Sequence, residues 1–214
     1  MEFADRVVQH DILSMAVVSD VLSKYGISII PDGHEINENL KIGLMGCNDP
    51  LSRLIRHRPD TFNKNIKKPS RNFLAEIKSA AAKYPNFSIE AEAHWYHKKY
   101  MNTHPDILSV MFFVEPEIKQ CKACWTQEIP TPYYIYIPKR SDYQIKRQSI
   151  ETMYPNAKIT DRELTDGSGT PYFLIKKDSY YLKEINLFIK QEISIKQTTL
   201  DIDTSLSSFQ KTLF

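Results

Sequence analysis

Two short apolar segments separated by a helical stretch constrain the fold of this chain more than any other feature. Residues 72–80 (NFLAEIKSA) and 106–115 (DILSVMFFVE) are apolar and bounded by polar turns, as is typical of buried strands. The residues between them, 85–101 (PNFSIEAEAHWYHKKYM), predict a helix with His97 at the border of its apolar stripe, which comprises Ile89, Ala93, Tyr96 and Tyr100. Two strands joined in this way indicate a sheet covered by helices.

The rest of the chain continues the alternation of helices and strands. A first helix is predicted from one apolar stripe, formed by Val8, Ile12, Met15, Val18, Leu22 and Tyr25, and Gly26 ends it before a short strand, ISII. Further on, we expect a strand at 132–139, a helix at 142–154, a strand at 170–177 and a helix at 180–193. The order predicts an α/β fold with a mixed central sheet flanked by helices.

Length and composition limit the class of protein. The 214 residues suffice for one domain, which we assign to 1–193, with a core at 1–115 and a substrate-selecting part at 116–193. No apolar run approaches the ~20 residues that span a bilayer, and the N-terminus does not resemble a signal peptide. We therefore expect no membrane association and an intracellular, cytoplasmic location. Cys121 and Cys124 form a single CxxC pair, which supplies half of a zinc site, so packing or free thiols are favoured over a metal.

Charge is unevenly distributed although the net charge is only +2. Residues 53–83 contain nine basic side chains against two acidic ones, Asp60 and Glu76. The basic residues are Arg53, Arg56, Arg58, Lys64, Lys67, Lys68, Arg71, Lys78 and Lys83. A basic strip around two carboxylates fits a phosphate-rich ligand, although a solvated lysine-rich loop explains residues 63–72 equally well.

The two carboxylates and one lysine are the residue types that a metal site for phosphodiester hydrolysis requires. Alternate residues of a strand share a face, so Glu76 and Lys78 are predicted to point to one side while Ile77 points to the core and offers its carbonyl to a metal. Asp60, at the start of a neighbouring strand, would complete a carboxylate pair for Mg2+ or Mn2+, which prefer oxygen ligands.

Pro59-Asp60 followed by Glu76-Ile77-Lys78 resembles the motif of the PD-(D/E)XK nuclease superfamily. This superfamily includes many restriction endonucleases, archaeal Holliday-junction resolvases and repair nucleases. The resemblance covers roughly residues 1–115 and implies a restriction endonuclease-like core of helix, three strands, helix and strand. It implies a metal-dependent DNA endonuclease, with Asp60, Glu76 and the Ile77 carbonyl as metal ligands and Lys78 positioning or deprotonating water.

Further roles are expected around that motif. The resemblance suggests an outer carboxylate on the first helix, for which Asp11 is the best match, and a polar side chain on the second helix, His97 or Lys98. Asp11 falls within the apolar stripe, so it is expected to be paired, to bind metal, or to cap a helix that begins later. Contacts to DNA are expected from the basic loop and this helix, namely from Lys64, Lys67, Lys68, Arg71, His97 and Lys98.

A second copy of the motif, Pro105-Asp106 with Glu117-Ile118-Lys119, is less suited to a site. Pro116 removes a ladder donor directly before Glu117, so this copy is predicted to be a strand followed by a turn. The aromatic run PYYIYIP (132–138) is interpreted as sheet packing in preference to a base-stacking platform. Residues 166–172 (DGSGTPY) are expected to form a turn.

The last 21 residues, 194–214, are polar and end in QKTLF. This ending resembles the Gln-x-x-Leu-Phe peptides that dock on sliding clamps, with Gln210, Leu213 and Phe214 as contacts, although a tail that packs on its own domain is an alternative. The expected partners are thus DNA at the nucleoid and a sliding clamp. A homodimer is expected only if two symmetric cuts are made. The alternative function is a non-catalytic DNA-binding or clamp-docking accessory protein with the same fold.

Overall fold

The computed structural model describes residues 3–31, 49, 52, 57, 59–65, 72–105, 107–163 and 169–193, with side chains from residue 9 onward except that of Asn65. The helices are α1 (Phe3–Lys24), α2 (Ala91–Thr103), α3 (Tyr143–Met153) and α4 (Ile185–Phe188), which continues into a π-helical turn (Ile189–Ile193). The strands are β1 (Ile27–Pro31), β2 (Thr61–Asn65), β3 (Phe73–Ser79), β4 (Asn86–Glu90), β5 (Leu108–Glu115), β6 (Gln120–Trp125), β7 (Tyr134–Pro138), β8 (Lys158–Arg162), β9 (Tyr172–Lys176) and β10 (Lys183–Glu184).

The strands form two sheets. The first has six strands in the order β1-β2-β3-β5-β6-β10, and the second has four in the order β4-β9-β7-β8. In the first sheet β1, β2 and β3 are antiparallel neighbours, whereas β3 and β5 are parallel and connected through α2. The α/β class with mixed sheets and flanking helices is thus confirmed.

Each apolar face of the first sheet contributes to a separate core. One face packs under α1 and α4, with Phe73, Ala75, Val110 and Phe112 against Val18, Leu22 and Phe188. The other face carries Met111, Phe113 and Cys124, which pack with the inner face of the second sheet and with α3. Because β5 alternates residues between the two cores, its sequence is apolar at nearly every position.

Helix α1 follows the predicted stripe only in its C-terminal half. Val18 and Leu22 are fully buried, but Ile12 and Leu13 are 64% and 52% exposed. The helix ends at Lys24, and Gly26 follows it with a φ of +72°, a left-handed conformation that favours glycine.

Two predicted helices are corrected by the structure. Residues 86–90 form β4, in which Phe87 and Ile89 are buried and Ser88 is exposed, so that the helix begins only at Ala91. The segment 180–193 contains the short β10, α4 and a π-helical turn in place of one helix. The proposed division at residue 115 does not coincide with the sheets, because β4 belongs to the second sheet and β6 to the first.

Candidate active site

Strand β3 places Glu76 and Lys78 side by side on one face of the first sheet, as predicted. The Lys78 Nζ atom lies 2.7 Å from Glu76 Oε1. In the parallel register these two residues neighbour Met111 and Phe113, which face the second core. Ile77 points the other way and packs against the first core. The period of two along a buried strand therefore fixes the Glu76–Lys78 pair.

Asp60 joins this pair from the adjacent strand. It directly precedes β2, whose Thr61 is paired with Ala75 in the antiparallel register, so Asp60 lies beside Glu76 in the middle of β3. Its Oδ2 accepts a hydrogen bond from the Ile77 amide at 3.0 Å. Burial raises the pKa of Asp60 from 3.8 to about 7, and the negative charge of Glu76 contributes to the rise. The two carboxylates are therefore close enough to repel each other.

Lys78 supplies the positive charge of the cluster. Burial alone would lower the pKa of Lys78, but the carboxylates of Glu76, Glu90 and Asp60 outweigh burial and raise it above its ordinary value. Lys78 is thus a stable ammonium at neutral pH. A group of this kind donates hydrogen bonds and compensates negative charge.

Two histidines lie behind the carboxylates. His97 on α2 is 3% exposed, and its Nε2 is 4.0 Å from Glu76 Oε2. Burial and the nearby Lys78 lower the pKa of His97 to about 4, so its imidazole is neutral at pH 7. His57 stacks on Tyr96 with ring centroids 5.2 Å apart, and its Nε2 is 3.7 Å from Glu92 Oε2.

Several buried polar atoms of this cluster have no hydrogen-bond partner among the described residues. They are Glu76 Oε2, His97 Nε2 and His57 Nε2. A buried carboxylate oxygen without a donor is energetically costly unless a bound group or water satisfies it. The second carboxylate beside it, Asp60, makes a cation a suitable occupant.

The chemistry of the donors fits Mg2+ or Mn2+. Within the described ranges, no group of three or more His, Cys, Asp and Glu side chains is arranged to hold a metal. A Mg2+ ion is commonly held by one or two carboxylates, with water and substrate phosphate as its other ligands. Asp60 and Glu76 match that requirement, and the Ile77 carbonyl remains a predicted third ligand.

The residues that were expected to contact DNA lie in different environments. Lys64 is exposed on β2, and its contact with DNA stays a prediction. His97 is buried, with its Nε2 4.0 Å from Glu76 Oε2, so it lies beside the carboxylate and away from the surface. Lys98 donates to the Ile129 carbonyl at 2.6 Å and so holds α2 to the neighbouring turn. Lys67, Lys68 and Arg71 lie outside the described residues.

Asp11 differs from its predicted position. Helix α1 begins at Phe3, so Asp11 is within the helix and does not cap it, and its side chain is exposed. Helix α1 packs on the face of the sheet opposite to Glu76. Asp11 borders a cleft together with Ser79 and residues 80–86, beyond the end of β3. Its role as an outer metal carboxylate stays a prediction.

The second copy of the motif is a strand followed by a turn, as predicted. Strand β5 ends at Glu115, and Pro116–Ile118 is a 3-10 turn in which Glu117 is exposed and pairs with His10 at 3.0 Å. Lys119 follows in a left-handed conformation with φ of 53°. The side chains of Glu117 and Lys119 therefore do not share the face of a strand.

Cys121 and Cys124 occupy opposite faces of β6. Cys121 packs in the core under α1, and Cys124 packs in the core shared with the second sheet. Both are free thiols, and burial raises the pKa of each. Side chains on opposite faces of one strand do not converge on one ion, which favours the packing role.

Glu90 and His57 lie near the cluster and were not predicted from the sequence. Glu90 ends β4 on the same face as Ser88, a position that the strand alternation of Phe87 and Ile89 would have indicated. His57 precedes Asp60 by three residues, and nothing in the sequence pattern links it to α2.

Along the described part of the chain, no helix has both the length and the apolar character needed to cross a bilayer. The tail residues Gln210, Leu213 and Phe214 lie outside the described residues. No protein-family model matches the sequence, and no curated protein matches it. Conclusions about function therefore depend on the residues and their geometry.

Proposed function

We propose that this chain is a Mg2+- or Mn2+-dependent endodeoxyribonuclease with a restriction endonuclease-like core. The supporting observation is the cluster of buried Glu76 with half-buried Asp60 and Lys78, in which a carboxylate oxygen has no hydrogen-bond partner among the described residues while a lysine neutralises the pair. A cluster of like charges with a raised pKa is typical of functional sites, because stability alone does not favour it.

Each residue has a distinct role in this proposal. Asp60 and Glu76 would hold the ion, together with the Ile77 carbonyl. When bound, the ion would activate water and neutralise charge on the scissile phosphate. Lys78 would act as a hydrogen-bond donor to the attacking water or the phosphate, because its raised pKa makes it a poor base.

His97 is suited to positioning Glu76. A neutral imidazole 4.0 Å from Glu76 Oε2 limits how that carboxylate can turn, without adding a competing positive charge. Its neighbour on α2, Lys98, fixes the helix through the Ile129 carbonyl. The cluster is thus supported by a helix that is itself anchored at a second point.

Substrate binding and partners complete the proposal. Lys64, with Lys67, Lys68 and Arg71 of the following loop, would bind the phosphate backbone of DNA. Docking of the C-terminal QKTLF on a sliding clamp, and hence association with the nucleoid, would bring the enzyme to its substrate. Two symmetric cuts would require a homodimer.

The test is cleavage of a DNA panel that includes duplex, branched, mismatched and single-stranded substrates, with Mg2+ or Mn2+ and with EDTA as the blank. We expect Lys78→Ala to abolish cleavage and to leave DNA binding intact. The chain supplies a matched control, since Glu117-Ile118-Lys119 repeats the tripeptide in an exposed turn. Lys119→Ala should cut as the wild type does.

Two outcomes contradict the proposal. If Lys78→Ala cuts normally with Mg2+, the assignment of the site is wrong. If the folded wild type binds DNA and cuts none of the substrates with either metal, the accessory-protein alternative replaces the enzyme.

A further inference from the structure

The outer face of the second sheet exposes tyrosines that the sequence analysis assigned to packing. In β7 the assignment is correct for Ile135 and Ile137, which are fully buried. Tyr134 and Tyr136 alternate with them and therefore lie on the opposite face. Tyr134 is 49% exposed.

Aromatic side chains form a row across this face. Tyr136 is paired in register with Tyr172 on β9, and the two rings are stacked with centroids 5.4 Å apart and planes at 29°. The Arg162 guanidinium on β8 lies 4.6 Å from the centroid of the Tyr136 ring. A planar cation over a stacked pair of rings presents a flat surface that nucleobases can extend.

The charge on this face is complementary to a phosphate backbone. Its exposed cations are Lys158, Arg162 and Lys176. Asp161 lies on the other side of β8, where it accepts a hydrogen bond from the hydroxyl of Tyr143 on α3. Within the described strands of this sheet, the outer face carries one carboxylate, Glu90, at its edge.

The row of rings leads towards the candidate active site. Glu90 is paired with Tyr172, and it is close enough to Lys78 to raise the pKa of that lysine. A cleft of about 1030 Å3 lies beside this face and is lined by Ser88 and Leu174 of the outer face and by Ser79 and Ala80, the two residues that follow Lys78. A strand bound on the sheet would thus be directed towards the carboxylates.

We propose that the outer face of the second sheet binds single-stranded DNA by stacking unpaired bases on Tyr134, Tyr136 and Tyr172, with Arg162 and Lys158 contacting the backbone. Single strands are favoured because their bases offer free faces, whereas the bases of a duplex are stacked on each other. The direction of the strand towards Lys78 rests on the proposed nuclease function. Binding on the sheet does not depend on that function.

The experiment is fluorescence anisotropy of the full-length protein with labelled oligo(dT) of about 15 nucleotides, in EDTA so that no cleavage occurs. We expect Tyr136→Ala to weaken binding by about 10- to 100-fold, as for the loss of one stacked base. Tyr136→Phe should bind within about threefold of wild type because the ring is kept. Tyr180→Ala, which removes a tyrosine that is 94% exposed and lies outside the strands of this sheet, should bind as wild type does.

Two further variants guard against misfolding as an explanation. Tyr134→Ala and Arg162→Glu change exposed side chains, and each should weaken oligo(dT) binding by about tenfold or more with an unchanged circular dichroism spectrum and melting temperature. A blunt duplex of the same length should bind more weakly than oligo(dT).

Different results would contradict the single-stranded DNA surface and the nuclease function. If these variants and Tyr136→Ala bind oligo(dT) as tightly as Tyr180→Ala, or if oligo(rU) binds more tightly than oligo(dT), the inference of a single-stranded DNA surface is wrong. Neither result affects cleavage by the Lys78 site. Normal oligo(dT) binding without any metal-dependent cleavage would contradict the nuclease proposal and support this surface.

Discussion

Replacing Asp60 by Asn should stabilise the metal-free protein, and the gain should depend on pH. The Asp60 carboxyl is held beside Glu76 with a pKa raised from 3.8 to about 7. Asn removes the charge and keeps an oxygen that accepts the Ile77 amide hydrogen bond. The variant therefore isolates the electrostatic cost of the carboxylate from its hydrogen bond.

The magnitude follows from the rise in the pKa of Asp60. A tenfold change in an equilibrium is about 1.4 kcal/mol, so the rise corresponds to roughly 4 kcal/mol once the carboxyl is ionised in both folded and unfolded protein. Local rearrangement and residual solvent at Asp60 reduce this value, and we expect about 2 kcal/mol at pH 8.

The sign of the pH dependence is fixed by proton linkage. Between pH 3.8 and about 7 the folded state retains a proton on Asp60 that the unfolded chain has lost. The cost of Asp60 therefore accumulates as the pH rises through this window, and it is nearly constant above it. Accordingly, the advantage of Asp60→Asn should be largest at pH 8 and should shrink towards zero near pH 4.

The assay is urea unfolding, with EDTA, at several pH values between 4 and 8. Asp20→Asn is the matched control, because Asp20 is an exposed carboxylate on α1 paired with Lys24, and its removal should cost less than about 0.5 kcal/mol. If Asp60→Asn is less stable than wild type at pH 8, or if its advantage does not change with pH, the electrostatic description of the site is wrong.

Two other measurements follow, one from the Asp60 site and one from the buried ion pair of Lys177 and Glu115. Mg2+ or Mn2+ should raise the melting temperature of the wild type more at pH 8 than at pH 5.5, because the protonated Asp60 is a poor ligand. The variant Asp60→Asn should lose most of this rise in melting temperature. An equal rise in both proteins would contradict the assignment of the ligands. Lys177→Ala should lower the free energy of unfolding by about 3 kcal/mol, because it leaves the buried Glu115 carboxylate without its cation. The control is Lys24→Ala, which removes an exposed lysine and should change the free energy of unfolding by less than about 0.5 kcal/mol in the same urea assay. Similar losses of stability in the two variants would show that burial does not matter at Glu115.

The central strands and the carboxylate–lysine pair could be predicted from sequence because local patterns determine them. Strand β3 is apolar on both sides of Glu76, so the period of two fixes which residues share a face. The proline before Glu117 likewise predicted the turn that follows β5 at the second motif.

The errors arose where a distant part of the chain decides the local structure. Phe87 and Ile89 suit a strand, but residues 85–101 also suit a helical stripe, and pairing with β9 more than 80 residues later favours the strand. The exposure of Asp11 has a similar cause. A helical stripe shows which residues share a side, but the length of helix that is covered depends on where its neighbours end.

The interleaving of the two sheets has a consequence for folding. Strand β4 follows β3 in the chain but belongs to the second sheet, whereas β5 and β6 belong to the first. Strand β10, which follows β7, β8 and β9 of the second sheet, also belongs to the first. A fragment that ends at residue 115 would lack β6, which pairs with β5, and β9, which pairs with β4. Neither sheet is complete until a strand distant in sequence has joined it, β10 in the first sheet and β4 in the second, so we expect slow folding dominated by long-range contacts. The second sheet should also resist exchange as an independent module between proteins.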